Sequence, residues 1–396
     1  MRRILKNIEG DKAIWAIVAF LALLSFMPVY SASTNLVYVA NSGTPTYYLI
    51  KHGILLFLGF LIIYGVHKIP FKYFSGISVI SLPFVVLLLI YTLTQGHTIN
   101  GANASRWIQI PFIGVGFQTS ALASIVLMVY VARYLAKNKE KKISFKESLL
   151  QLWLPVGLIL ALILPANFST TAIIFTLVLI LTFVGGYPIK YLMYIIGVGI
   201  VSLAFFILVA KAFPTLMPNR VDTWISRVEN FSNKNAVEGY QVEKAKIAIA
   251  TGSLFGKGAG KSVQKNFLPQ SSSDFIFAII VEEYGLVLGA LTVMLMYFLL
   301  LFRIVMAAKK AKSVFATLLI IGVGLPIIFQ AIINMAVAVN LFPVTGQNLP
   351  LISSGGTSIW MTCIAIGIIL SVTAEKEIVF NETDENPLDI LHEAIH

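Results

Sequence analysis

The sequence predicts an all-α protein that crosses a lipid bilayer about ten times, and three observations predict it. Only 12% of the 396 residues are charged while 58% are hydrophobic, roughly half the charged share of an ordinary soluble domain. The charges are clustered, which leaves apolar runs near the ~20 residues that span hydrocarbon as a helix. The connections between runs carry their positive charge on alternate turns of the chain, the pattern of a segment passing back and forth through a membrane.

The apolar runs read at about 14–31, 49–66, 74–94, 114–134, 150–165, 168–186, 190–211, 274–302, 314–340 and 355–374. The first follows Arg2, Arg3, Lys6 and Lys12, like the start of a signal peptide. It is too long for one and further spans follow, so it reads as an uncleaved first helix. The N-terminus, the 67–73 turn (Lys68, Lys72), the 133–148 loop and the 303–313 loop are basic. All fall on one side if ten spans alternate, and the positive-inside rule makes that side cytoplasmic, with both termini inside. Residues 1–376 read as a single transmembrane domain. Residues 377–396, with Glu382, Asp384 and Glu385, read as a polar cytoplasmic tail without structure.

The opposite side receives 32–48, 95–113, a large extracellular loop at 212–273 between helices 7 and 8, and 341–354. The net charge of +11 is absorbed by membrane flanks, which argues for membrane lipids and against nucleic acid as partners. Cys363, the single cysteine, excludes a disulfide framework and reads as a buried thiol. His52, His67, His97, His392 and His396 lack metal-ligand spacing.

The 212–273 loop is too long to be a bare connector. It holds Arg220, Arg227, Lys234, Lys244, Lys246, Lys257, Lys261 and Lys265, suited to lipid headgroups or to an anionic substrate at the outer face. Residues 240–251 read as a short amphipathic helix. The stretch Gly256-Lys-Gly-Ala-Gly-Lys-Ser262 imitates a phosphate loop, but Phe255 stands where its first glycine is needed and no strand is expected before it, which excludes an NTPase.

Ionisable residues near membrane depth are expensive and usually functional. Asp274 follows Ser271-Ser272-Ser273 and opens an apolar run, so it reads either as part of an N-cap, favoured by the helix dipole, or as a catalytic carboxylate. Glu282 and Glu283 lie deeper. On one continuous helix Glu282 shares the broad stripe of Asp274, and Glu283 points away. Arg106 with Trp107 reads as an interfacial anchor or an anion ligand. The stretch Pro343 to Ser358, rich in proline, glycine and hydroxyls, is a poor helix. Irregular backbone at such depth survives only packed in protein or lining a wet cavity, and its free amides suit an anion.

Three segments resemble the SEDS family, whose best-known members are FtsW and RodA, and the resemblance runs from about residue 10 to 375. They are Ser105-Arg106-Trp107-Ile108 with Gln118-Thr-Ser120; Lys265-Asn-Phe-Leu-Pro269 through Asp274 to Glu282-Glu283-Tyr-Gly285; and Pro343-Val-Thr-Gly346 through Leu349-Pro350 to Ser353-Ser-Gly355-Gly356-Thr357-Ser358. The chain departs from the family at Thr119 and Ala121, where proline and glutamate are usual, and at Ser124, where lysine is. A cytoplasmic-side ion pair is therefore expected to be missing. The family's Pro-Asp-Leu-Gly-Thr stretch survives only as Pro165-Ala-Asn-Phe-Ser-Thr170, so no aspartate role transfers there.

The resemblance implies a ten-helix peptidoglycan glycosyltransferase acting on lipid II outside the cytoplasmic membrane. It implies a class B penicillin-binding protein as transpeptidase partner, with other division proteins, at the septum if FtsW-like or along the cell body if RodA-like. The pattern sits closer to FtsW. Asp274 matches the family's essential aspartate, and Arg106, Lys265, Glu282, Gln118, Ser353, Gly355, Gly356 and Thr357 become the expected substrate-binding set. No cofactor is assigned, and a divalent cation such as Mg or Mn is compatible with a diphosphate leaving group. A helix N-terminus lowers a carboxylate's pKa whereas a base needs one near working pH, so desolvation is expected to offset the dipole at Asp274. The rival readings are a lipid II flippase, which needs polar residues through the full depth, and a non-catalytic division scaffold.

Overall fold

An apolar run in hydrocarbon becomes a helix because its amides and carbonyls have no other partner there. The structure, a computed structural model, describes residues 9–40, 44–95, 98–99, 102–103, 107–109, 116–141, 143–212, 224–225, 227, 231 and 239–384. Its helices are α1 (Lys12–Ala40), α2 (Pro45–Val66), α3 (Lys72–Gln95), α4 (Thr119–Lys137), α5 (Phe145–Ile163), α6 (Phe168–Val184), α7 (Ile189–Ala212), α8 (Tyr240–Gly252), α9 (Ile276–Gly285), α10 (Thr292–Lys310), α11 (Val314–Ala338) and α12 (Thr357–Asp384). Among the described residues nine stretches are long and apolar enough to cross a membrane, with α9 and α10 forming one of them, and the 17-residue α6 is a shorter apolar helix. The chain is a multi-pass membrane protein.

Local chemistry sets several helix ends. Thr44, Asn167 and Ser313 each accept the amide three residues on, capping α2, α6 and α11. Asn167 thus has a structural task in the stretch where the family places aspartate. Asp11 does the same for α1 through the amides of Ala13 and Ile14 and pairs with Arg303 of α10, its Oδ2 lying 3.1 Å from Arg303 Nε.

Three elements differ from expectation. The run expected from 114 becomes helical only at Thr119. Ahead of it lie two antiparallel pairs, β1 (Thr98–Ile99) with β2 (Ala102–Asn103), and β3 (Trp107–Gln109) with β4 (Gly116–Gln118). The Trp107 ring covers Gly116, where a Cβ would meet it at 3.1 Å. At the other end of the chain, residues 377–384 continue α12, because a helix already started propagates cheaply into polar residues. Residues 385–396 lie outside the described residues.

The third difference is a break in the run expected at 274–302. Gly285, at φ +77°, ends α9, and a π-helical turn, Leu286–Leu291, leads into α10. The chain folds sharply there: a Cβ on Gly289 would lie 2.9 Å from Ile280 O. In a continuous helix the amides of 286 and 287 would bond the carbonyls of 282 and 283. The 253–258 loop replaces both rungs. Leu286 N and Val287 N donate to Ser253 O and Leu254 O, while Lys257 N and Gly258 N donate to Glu282 O and Glu283 O, at 2.9–3.1 Å. The two amides and two carbonyls that the break frees are thereby satisfied, as burial demands.

The core falls into two groups. One is built mainly from α1, α2, α9, α10, α11 and α12, the other mainly from α3, α4, α5, α6 and α7. They meet where α4 packs along α11, with Phe315 and Ile321 touching both groups. Outside them, α7 keeps Val198, Val201, Phe205 and Leu208 exposed, a periphery fit for lipid. The seam between the groups holds the cavity described next.

Candidate active site

Asp274 occupies the turn before α9, one residue ahead of the N-cap Phe275, which makes no side-chain cap. The serines expected as caps are used otherwise. Ser354 N donates to Ser272 O at 2.8 Å, and Ser353 Oγ donates to Ser273 O at 2.6 Å while accepting from Leu349 N at 2.7 Å. Two loops, 271–275 and 343–356, are thus stitched face to face. Gly346, at φ +69°, lies against the Asp274 carboxylate, where a Cβ would stand 3.3 Å from Oδ2. Only glycine accepts that φ readily and leaves the carboxylate's approach open.

Arg227, from the long loop, donates from Nη1 to Val344 O at 3.0 Å. Burial pushes its guanidinium below the usual value and the Asp274 carboxylate pushes it back up. Arg227 is thus anchored on the loop that faces the half-buried Asp274, close enough for that carboxylate to act on its charge. Lys265, expected in this role, is buried elsewhere: its Nζ donates to Ser31 Oγ at 3.1 Å and to Gly260 O at 2.8 Å.

The same clasp absorbs both glutamates. Glu282 is fully buried and accepts from Lys257 Nζ at 2.7 Å, Ser262 Oγ, Val263 N and Gln264 N at 3.1 Å each for the two amides. Its lone pairs are taken by the chain itself, so it does not line the cleft under Asp274. Glu283 accepts from Ser31 Oγ. Gly256, Gly258 and Gly260 take positive φ to bring this loop around the carboxylates. The imitation phosphate loop is thus a collar for two glutamates, preceded by a helix and not by a strand.

Of the remaining expected residues, Thr357 is buried and bonds only strand backbone, donating to Gly116 O at 3.0 Å and accepting from Gln118 N at 3.2 Å. Gly355 makes room for Asn348, whose Nδ2 a Cβ would meet at 2.4 Å, and Gly356 turns the chain at φ +55°. Ser353, Gly355, Gly356 and Thr357 build the loop. Arg106 lies outside the described residues, but the adjacent Trp107 pairs with Gln118.

Gln118 stands at a cavity of about 90 Å³ in the seam between α4, α6, α11 and α12. Its polar lining comes from Ser120, Ser124, Thr170, Gln330, Gln347 and Thr362, besides Gln118 and Ser358, and the lining contains no charged residue. Gln347 Nε2 donates to Thr170 Oγ1 at 3.1 Å, joining the cavity mouth to the loop that walls Asp274. Ala121 and Ser124 both line it. The missing ion pair therefore belongs to the end of α4 nearest Asp274, not to the basic end, because Thr119 starts the helix and Lys137 ends it.

No group of three His, Cys, Asp or Glu side chains among the described residues could hold a metal ion. Arg227 already supplies positive charge at Asp274. The described residues offer no such cluster to a resident divalent cation.

A sequence profile described as "Cell cycle protein", for FtsW, RodA and SpoVE, matches residues 11–378. The chain belongs to the FtsW/RodA/SpoVE family. A protein of Coxiella burnetii named probable peptidoglycan glycosyltransferase FtsW is 32% identical over 377 residues, covering 92% of this chain and 96% of that one. One of the same name from Enterococcus hirae is 32% identical over 386 residues, with 94% of each chain covered. RodA of Thermus thermophilus shares the fold with a TM-score of 0.64 at 23% identity, over 92% of this chain and 96% of that one. A chain from a solved peptidoglycan synthase complex shares it at 0.68 and 24%, over 92% and 97%. In this FtsW/RodA/SpoVE chain Asp274, Arg227 and Gly346 come from loops, and Asn334 from helix α11. Arg227 and Asn334 are the two site residues that sequence reasoning passed over, the first counted only as loop charge. A side-chain amide in the interior of the apolar 314–340 run, which also holds Gln330 and Asn340, was the available signal for the second.

Proposed function

We propose that this chain is a peptidoglycan glycosyltransferase that joins lipid II units into glycan strands at the outer face of the cytoplasmic membrane. The observation that carries this reading is Asp274 set against Gly346, with Arg227 held on the same loop at Val344 and with Gln347, the residue after Gly346, lining an uncharged polar cavity. Asp274 takes the proton of the acceptor sugar hydroxyl as that oxygen bonds to the donor's anomeric carbon. The bond from that carbon to the lipid diphosphate breaks, and the diphosphate leaves with the electron pair. Arg227 offsets the negative charge that develops there, a contribution typically worth 10²–10³ in rate. Hydroxyls and amides in the cavity suit sugar hydroxyls, which need partners when desolvated. Any divalent cation would have to arrive with the diphosphate, and no step is assigned to it.

The FtsW names of the relatives favour a septal role, and the synthase complex among the structural neighbours favours a crosslinking transpeptidase of the penicillin-binding class as partner. Both termini inside, with 212–273 outside, remains the topology that the basic loops support. Transport of lipid II through the bundle is the second reading. Against it, the polar lining is confined to one end of the bundle: Ser124 and Thr362 each lie five residues inside the ends of α4 (from Thr119) and α12 (from Thr357), about 8 Å, and Gln330, the deepest, lies eight residues before the end of α11 at Ala338, about 12 Å. Below them the lining turns to Leu177, Val323 and Ala365.

Asp274→Asn keeps size and tests the reading. Purified protein assayed with lipid II should lose glycan polymerisation about 10²-fold or more, with unchanged membrane insertion. Normal polymerisation by this variant would place the base elsewhere.

A further inference from the structure

We propose that Asn334 of α11 is a positioning residue that holds Asp274 and the loop opposite it at a fixed separation. Asn334 is 1% exposed and sits four residues before the end of α11 at Ala338. Its Nδ2 donates two hydrogen bonds at once, to Asp274 O at 2.8 Å and to Gln347 O at 2.7 Å. The amide is oriented by these partners, since the opposite flip would aim Oδ1 at two carbonyl oxygens. Its Oδ1 has no partner among the described residues.

The two carbonyls belong to the two walls of the site. Asp274 carries the carboxylate. Gln347 follows Gly346, which faces that carboxylate, and lies three residues after Val344, whose carbonyl holds Arg227. The Gln347 side chain continues to Thr170 at the cavity mouth. One rigid helix residue therefore spaces carboxylate, guanidinium anchor and cavity mouth together. Loop residues gain accuracy from such anchoring, and a displacement of about 1 Å can cost 10²-fold in rate. Asn334 touches neither substrate nor the reacting atoms and acts through Asp274.

The proposal rests on Asp274 acting as base, and the experiment separates the two. Asn334→Asp is isosteric and turns the shared donor into an acceptor facing two carbonyls. Asn334→Ser is milder and removes the reach. Each full-length variant is purified, its melting temperature and lipid II binding stoichiometry are measured, and kcat and KM are followed against pH. The expected result is a kcat lowered about ten- to hundredfold per binding-competent molecule, with KM within about threefold. The acid limb of kcat/KM should move to higher pH, because a carboxylate slackened away from Arg227 loses the charge that favours its ionised form. A kcat and pH profile like the parent's in either folded variant overturns the proposal. So does a loss that tracks lost binding stoichiometry or lost folded protein in both. If Asp274→Asn polymerises normally, the reading of the base fails instead. If that variant is inactive while both Asn334 variants work, only the positioning role fails.

Discussion

Glu282 and Glu283 show how one residue step separates expectation from outcome. Helical phase on a continuous helix puts Glu282 on the face of Asp274, but α9 begins only at Ile276 and both side chains point into the 253–265 collar. Glu282→Gln would take the charge from an acceptor serving Lys257 and two backbone amides, at about 2 kcal/mol for bonds to a charged group. A lower melting temperature is expected, with kcat/KM per folded molecule within a factor of about two. Glu283→Gln should behave alike through Ser31. Both quantities can be read on one detergent preparation, and lost turnover at an unchanged melting temperature in the Glu282 variant would return that residue to the cleft.

At the scale of elements, the junction of α8, the 253–258 loop and α9 depends on backbones in direct contact. A Cβ on Gly252 would stand 2.1 Å from Val281 O, and one on Gly256 would stand 2.2 Å from Glu283 O. These clashes are with backbone, which cannot rotate away. Gly252→Ala should therefore force α8 off α9 and cost about 1–3 kcal/mol, the usual range for overpacking. Limited proteolysis would report it as new cleavage near the exposed Lys261. Resistance equal to the parent's, at an equal melting temperature, would mean that the contact is loose. The collar also explains why a basic loop precedes two buried carboxylates: Lys257 and Lys265 are consumed there, leaving Arg227 for the site.

For the whole molecule, the two core groups meet along α4 and α11, and the cavity lies in that seam, joined through Gln347 to the loop that faces Asp274. A seam between two packed halves is where a bundle can hold a ligand without giving up core volume. The proposed orientation places this mouth outside the cell. Cysteine introduced at the exposed Lys261 should react with a membrane-impermeant thiol reagent on intact cells, and cysteine at the exposed Lys141 should not, in a background with Cys363 replaced by serine. The reverse labelling would put Asp274 on the side where no glycan strand is built.

Ten apolar runs, their approximate limits and the weight on Asp274 were all legible in the sequence, because hydrocarbon leaves a long apolar segment only one way to satisfy its backbone and because a carboxylate among serines beside an apolar run stands out. What only the tertiary structure decided is which charges reach that carboxylate. Lys265 and Arg227 are equal as basic loop residues, and Glu282 and Glu283 are neighbours. Their fates differ because a glycine-permitted fold at Gly285 lets the 253–258 loop enter the helix ladder, so that Lys257 pairs with Glu282 there while Lys265 and Glu283 both bond Ser31. Asn334 is likewise one amide in an apolar run until α11 brings it between two loops far apart in sequence. Partner choice among buried polar groups depends on contacts of long sequence separation, and local patterns do not encode those.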